Sequence, residues 1–352
     1  MSPGRRGSRA PRPGRGLASA AGMLLGAGAG VLAWSLIEAH WYTLRRVEVP
    51  VLPAGSHPMR VLHISDLHLV PGQRRRTRWV RDLARLEPDL VINTGDNMAH
   101  RRALPTALHA LSPLLAYPGA FVMGSNDYYA PVPKNPARYL RPRVPTVPTS
   151  NAKLPGPELA AALRSHGWLD LNNRRGRLRA GGHSVELVGV DDPHLDRDEL
   201  PAADPATTPG EPAPSGPSFP GEPASSSPAS QGEHASQGAR APEALPVRLG
   251  VTHAPYQRVL AAMRSDGADL VLAGHTHGGQ LCVPGYGALV TNSDLDTSRA
   301  KGLHGWPGER PDAGGSDSIW LHVSAGLGTS PYTPVRFACR PEATLLTLTA
   351  RR

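Results

Sequence analysis

Residues 59–68 read Met59-Arg60-Val61-Leu62-His63-Ile64-Ser65-Asp66-Leu67-His68, an apolar run that ends in a carboxylate and an imidazole two positions apart. The same grammar recurs along the chain. Leu90–Asn93 is followed by Thr94-Gly95-Asp96-Asn97, Ala120–Met123 by Gly124-Ser125-Asn126-Asp127, Val247–Thr252 by His253, and Leu270–Ala273 by Gly274-His275-Thr276-His277. These runs, beginning with Arg60–Ile64, predict strands, as do Ser184–Val190, Ile319–Val323 and Ala343–Leu348. Between them lie helical patterns. Leu104, Leu108, Leu111 and Leu115 share one helix face, and Val259, Leu260 and Met263 repeat similarly after Pro255. Strands alternating with helices specify an α/β layered fold.

In open α/β sheets the C-terminal ends of the strands line up along one edge, where ligands bind. The polar groups that close these runs should therefore converge. Carboxylates and imidazoles without thiolates suit divalent manganese, iron or zinc. Asp66 and His68, at i and i+2, share a face and can reach one ion. Gly95 and Gly274 permit tight turns just before the candidate ligands Asp96 and His275. Asp96 can bridge two ions. Two ions about 3.5–4 Å apart clamp the attacking and leaving oxygens of a phosphoryl group and acidify a bridging water.

Taken together, Asp66-Leu67-His68, Gly95-Asp96, His253 and Gly274-His275-Thr276-His277 resemble the signature of the calcineurin-like metallophosphoesterase superfamily. Gly189-Val190-Asp191-Asp192-Pro193 and Gly278-Gly279-Gln280 resemble its bacterial, membrane-associated branch. The resemblance implies a metallophosphoesterase-type β-sandwich flanked by helices over residues 59–348. It also implies two divalent ions. The first would be held by Asp66, His68, Asp96 and His277, and the second by Asp96, an asparagine, His253 and His275.

The family's asparagine is followed by a histidine that is proposed to protonate the leaving group. Here the segment is Gly124-Ser125-Asn126-Asp127. Aligned without a gap, Ser125 takes the ligand position and Asn126 the acid's. Shifted by one residue, Asn126 is the ligand and Asp127 stands where the acid was. The shift is preferred because an amide oxygen binds metal better than a neutral hydroxyl. Either way the imidazole is missing. Such an acid contributes about 10²–10⁴-fold, so its loss slows an enzyme without abolishing it. Asp127 or a metal-bound water are the candidate replacements, unless the substrate has a good leaving group.

Other residues have plainer readings. His63 and His322 lie in apolar runs and are expected as hydrogen-bonded core histidines. His194 is either a rim residue of the site or a loop residue. Arg74, Arg75, Arg76 and Arg78 form either a solvated helix start or a basic rim, Arg75 included, that attracts phosphates or anionic headgroups. Tyr128 and Tyr129 are expected to pack rather than to stack on a substrate.

The chain has 352 residues, a formal charge of +9 and a pI near 10.0. A nucleic-acid partner is not expected, because five arginines (Arg5, Arg6, Arg9, Arg12, Arg15) sit in a basic tail over residues 1–15, outside any domain. Gly16 to Ile37 carry no charge, and Trp34, Trp41 and Tyr42 cluster at the far end. This segment reads as a transmembrane anchor, with a signal peptide as the rival. The charge bias places the N-terminus in the cytoplasm and the catalytic domain outside the cell membrane, or exported. Residues 197–245, dominated by Pro, Ser, Ala, Gly and Glu, read as a disordered insertion. Cys282 and Cys339 are either buried thiols, the favoured reading, or one disulfide if the domain is exported.

The expected activity is hydrolysis of a phosphate mono- or diester, by a monomer, on a phosphorylated small molecule or a lipid at the membrane. The alternative is a catalytically impaired metal-binding scaffold of the same fold.

Overall fold

The computed structural model describes residues 14–132, 152–202, 245–329 and 332–351. The helices are α1 (Gly14–Glu38), α2 (Arg74–Asp82), α3 (Leu104–Leu111), α4 (Ser125–Tyr128), α5 (Gly156–Ser165) and α6 (Gln257–Ser265). The strands begin with β1 (Thr43–Leu52), β2 (Met59–Ile64), β3 (Leu90–Asn93), β4 (Gly119–Phe121) and β5 (Leu169–Asp170). They continue with β6 (Arg174–Ala180), β7 (His183–Gly189), β8 (Val247–Val251), β9 (Leu270–Ala273), β10 (Cys282–Val283) and β11 (Gly287–Ala288). The last are β12 (Gly302–Trp306), β13 (Ile319–Val323) and β14 (Glu342–Ala350). One sheet has the order β1-β14-β2-β3-β4-β5, a second the order β12-β13-β9-β8-β7-β6, and β10-β11 form a separate hairpin.

The two six-stranded sheets face each other because their strands alternate. Met59 and Val61 of β2, Leu90 and Ile92 of β3, Leu249 and Val251 of β8, and Leu270 and Leu272 of β9 fill one core between the sheets. Their neighbours point the other way. Leu62, Ile64 and Val91 pack under α2, α3 and α5, whereas Val271, Leu321 and Val323 pack under α6. Each fully buried Leu or Ile contributes roughly 1.5–3 kcal/mol by leaving water. His63 and His322 meet across the sheets, Nδ1 to Nδ1 at 2.9 Å, and His63 Nε2 lies 3.0 Å from Thr94 Oγ1. Both are hydrogen-bonded core residues.

Strands β2 to β5 are parallel, as are β13, β9, β8 and β7. Their C-terminal ends therefore deliver the loops at Asp66, Asp96, Gly124, Asp191, His253 and His275 to one end of the sandwich. The expected α/β class holds, and three other expectations change. The sheet starts at Thr43 rather than Met59, because β1 pairs in parallel with β14 along its length. Residues 197–202 belong to the domain: Arg197 Nε donates to Asp191 Oδ2 at 2.7 Å and Arg175 Nε to the carbonyl oxygen of Ala202 at 2.9 Å. The remainder of the expected insertion, 203–244, lies outside the described residues, as does the basic tail through residue 13. Third, among the described residues no helix is long and apolar enough to cross a membrane. The transmembrane expectation for 16–37 is not met there, where Gly22, Gly26, Gly28 and Gly30 dilute the apolar side chains of α1.

Candidate metal centre

Seven expected ligands come together where the two sheets end. Asp66 and His68 follow β2, Asp96 follows β3, Asn126 lies in α4 after β4, His253 follows β8, and His275 and His277 follow β9. Five of them (Asp66, His68, Asp96, His275 and His277) have φ between 41° and 68°, in the left-handed region that side chains other than glycine seldom adopt. Such strain persists only where the surroundings enforce it. Here the enforcement is a ladder of backbone bonds between loops: Asp66 N to Gly95 O at 2.9 Å and His68 N to Asp96 O at 2.9 Å.

The imidazoles form two pairs. His68 Nε2 and His277 Nε2 are 3.1 Å apart, and His253 Nε2 and His275 Nδ1 are 3.3 Å apart. In the second pair the tautomers are fixed. His253 Nδ1 lies 2.7 Å from the Thr94 carbonyl and His275 Nε2 lies 3.0 Å from the Asn292 carbonyl, so each of these nitrogens is the donor. The remaining nitrogens, His253 Nε2 and His275 Nδ1, face one another, an arrangement that a proton or a metal ion between them makes favourable. Asp96 Oδ2 stands between the pairs, 3.5 Å from His68 Nε2 and 3.6 Å from His253 Nε2. Asp66 Oδ1 lies 3.5 Å from His277 Nε2 and has no hydrogen-bond partner although buried. Two sets, Asp66/His68/His277 and Asp66/Asp96/His253, have the spacing of metal ligands.

The electrostatics call for positive charge. Burial opposes protonation of His253, but Asp96, Asp192 and Asp66 outweigh it and raise its pKa to about 9. Burial raises Asp66 to about 6 and lowers His68 to about 4, and it holds His275 and His277 well below the usual imidazole range. Burial also works against the charge on Asp96, yet His253, His68 and two Asn126 donors keep its carboxyl below the ordinary value. Divalent cations would supply this charge and displace the His253 proton. The donor set, all carboxylate, imidazole and amide, fits manganese, iron or zinc.

Asn126 is brought to the centre. Its backbone N donates to Asp96 Oδ1 at 2.7 Å and its amide to Asp96 Oδ2 at 2.8 Å. Asp127 is turned away. Its Oδ2 accepts from the backbone N of Asp96 (2.8 Å) and Gly124 (3.1 Å), and its Oδ1 from Asn97 N at 2.9 Å. The expected role of Asp127 as proton donor is thus corrected: both oxygens are buried acceptors that tie the Asp96 loop to α4. Burial, then Asp96, push its pKa up to about 7, against the backbone donors.

His194 sits on the rim, its ring 4.6 Å from that of His275 and its Nδ1 3.1 Å from Tyr256 Oη. Arg75 is exposed on α2. Arg76 of the same run is buried and donates to the carbonyls of Leu67 (2.8 Å) and His68 (3.2 Å). Tyr128 packs as expected, with its hydroxyl on Asp191 Oδ1 at 2.8 Å.

Two residues have roles that sequence reasoning missed. Asp192 is buried beside His253, with Oδ2 unpartnered; only the quoted Gly189–Pro193 motif hinted at it. Arg336, fully buried, donates to the carbonyls of Ala325 and Gly328, each at 2.7 Å, and of His277 at 3.3 Å. Nothing local marked it. Cys282 and Cys339 are buried free thiols, the favoured expectation. Their sulfurs lie 3.2 and 3.4 Å from the same Gly278 carbonyl.

The calcineurin-like phosphoesterase profile matches residues 59–279, from the first residue of β2 through the last candidate ligand loop. The chain belongs to the calcineurin-like phosphoesterase family. It is a hydrolase acting on phosphoester bonds. Among relatives of this phosphoesterase, "Phosphodiesterase YaeI" of Escherichia coli (strain K12) is 24% identical over 321 residues, 88% of this chain and 90% of the relative. "Uncharacterized metallophosphoesterase YkoQ" of Bacillus subtilis (strain 168) is 25% identical over 83% of this chain and 84% of its own length. A "Transmembrane protein with metallophosphoesterase domain" of Danio rerio is 26% identical over 67% of this chain but 44% of the relative.

Proposed function

We propose that this phosphoesterase uses two divalent ions, one held by Asp66, His68, Asp96 and His277 and the other by Asp96, Asn126, His253 and His275. The observation that carries this reading is the two pairs of facing imidazole nitrogens with Asp96 Oδ2 between them. When bound, such ions supply Lewis acidity toward phosphoryl oxygens and an activated bridging water. The chain's own residues do the rest. Thr94 and Asn292 carbonyls fix the imidazole tautomers, Asn126 orients Asp96, and His194 borders the space beside His275 where substrate would enter.

A phosphodiester is the favoured substrate class, in keeping with the name of the Escherichia coli relative. With Asp127 capped, the leaving group departs without a proton from that residue, which favours esters of acidic alcohols or phenols. The uncharged run at 16–37, the aromatic residues that follow it and the arginines before it support attachment to a membrane with the domain on the outer face. The missing imidazole favours one rival, a metal-binding scaffold with little turnover.

The test is turnover by the purified full chain loaded with manganese, on an aryl phosphodiester and an aryl phosphate, against Asp96→Asn. Hydrolysis well above that variant supports the enzyme. Metal bound at two equivalents without turnover supports the scaffold.

A further inference from the structure

Outside α1 and its exit at Trp41, the described residues expose seven large apolar side chains. Four of the seven, Leu281, Val283, Tyr286 and Leu289, lie on the β10–β11 hairpin. Residues 281–290 read Leu-Cys-Val-Pro-Gly-Tyr-Gly-Ala-Leu-Val, without one charge. Scattered exposed apolar residues are ordinary; four of them gathered on one uncharged hairpin mark a contact surface.

Its position is informative in two ways. The hairpin springs from the metal centre: His277 precedes it, and Asn292, whose carbonyl faces His275 Nε2 at 3.0 Å, follows it. It also adjoins the end of α1 through one intervening segment. On one side of that segment, Cys282 N donates to Phe337 O (2.9 Å) and Phe337 N to Gln280 O (3.1 Å). On the other, Arg336 N donates to Ser35 O (3.0 Å), and the backbone N of Ala338 and Cys339 donate to the Glu38 carboxylate at 3.1 and 2.7 Å. The helix end carries its own exposed apolar groups: Ile37 is 59% exposed, and Trp34 and Trp41 meet edge to face with centroids 5.9 Å apart. Arg340 lies over Trp41 at 3.7 Å. Aromatic rings beside a cation are what a protein presents at the level of lipid headgroups.

We propose that the β10–β11 hairpin and the end of α1 together contact a lipid bilayer, so that the metal centre acts on a phosphodiester carried by a membrane lipid. The occupant is a bilayer rather than a soluble partner because the hairpin is continuous, through residues 336–339, with the helix that ends the apolar N-terminal run. The lipid substrate rests on the phosphoesterase reading above; the contact itself does not.

The experiment uses the full chain with vesicles of phosphatidylcholine and phosphatidylglycerol, seven to three. In one arm, Tyr286→Trp is compared with wild type while the lipid carries brominated acyl chains. The added indole emission is expected to be quenched at least twofold. In the other arm, Val283, Tyr286 and Leu289 are all changed to Asp. Hydrolysis of a water-soluble aryl phosphodiester should stay within twofold, whereas hydrolysis of a bilayer phosphodiester should fall tenfold or more. Unquenched emission overturns the contact. Equal loss on both substrates, with an unchanged Tm, overturns its role in substrate choice. A dimer that the triple change dissociates, with no quenching, assigns the face to a second copy. If wild type hydrolyses neither ester while quenching persists, the contact stands and the phosphoesterase reading fails.

Discussion

Replacing Gly124 by alanine tests the metal centre with a single methyl group. Gly124 has φ −111°, so alanine costs the backbone nothing. The added Cβ would collide with Asp96 Oδ1 and stand 2.7 Å from His253 Cε1. Carbon atoms settle at about 3.5–4.0 Å, so His253 or the α4 turn must yield by about 1 Å. A displacement of about 1 Å in a reacting group costs on the order of 10²-fold in rate. Gly124→Ala should therefore fold normally, lose about 10²-fold in kcat on an aryl phosphodiester and bind metal less completely. The assay pairs steady-state kinetics with metal content by mass spectrometry and a thermal melt. Wild-type rate and metal content at an unchanged Tm would refute the placement of His253 and Asp96 in one centre.

Other outcomes follow from the same geometry. Burial lowers His322 to about 3, while in the unfolded chain it titrates near 6.5, so the unfolded state takes the proton first. The stability it contributes is whole above about pH 6.5 and is lost as pH falls toward 3, at about 1.4 kcal/mol per pH unit; urea titrations of His322→Phe between pH 4 and 6 should show a slope shallower by that amount. Asp127→Asn sets an amide against the backbone N of Asp96, Gly124 or Asn97 and should cost about 2–3 kcal/mol in urea unfolding. It should leave the dependence of rate on leaving-group pKa unchanged; a steeper dependence would restore Asp127 as the proton donor. Chelation should lower Tm by at least about 5 °C, and manganese should restore it, because buried facing lone pairs lose the charge that reconciles them.

What the sequence disclosed was decided by local pattern. β3, β9 and β13 have the boundaries their apolar runs predict, and the ligands after β2, β3, β8 and β9 could be read because each closes such a run. β6, Arg174-Arg175-Gly176-Arg177-Leu178-Arg179-Ala180, was hidden because an edge strand carries charge where a central one carries apolar side chains. β1 was hidden by Arg45, Arg46 and Glu48, which face solvent for the same reason. The local choice at 124–127 was readable only as far as chemistry ranks ligands: it favoured Asn126 for a place at the centre, yet only the fold shows Asp127 spending both oxygens on the backbone. Arg336 was beyond reach, since its carbonyl partners come from loops set together by tertiary packing alone.

The pairing of β1 with β14 also governs the order in which the protein can be assembled. β1 and β2 are made long before β14, yet β14 lies between them and bonds to both. Until β14 leaves the ribosome, β1 and β2 flank an empty slot with open backbone edges on either side. Open edges in a nascent chain invite pairing with other chains, so expression yield should depend sharply on how long synthesis takes to reach Ala350.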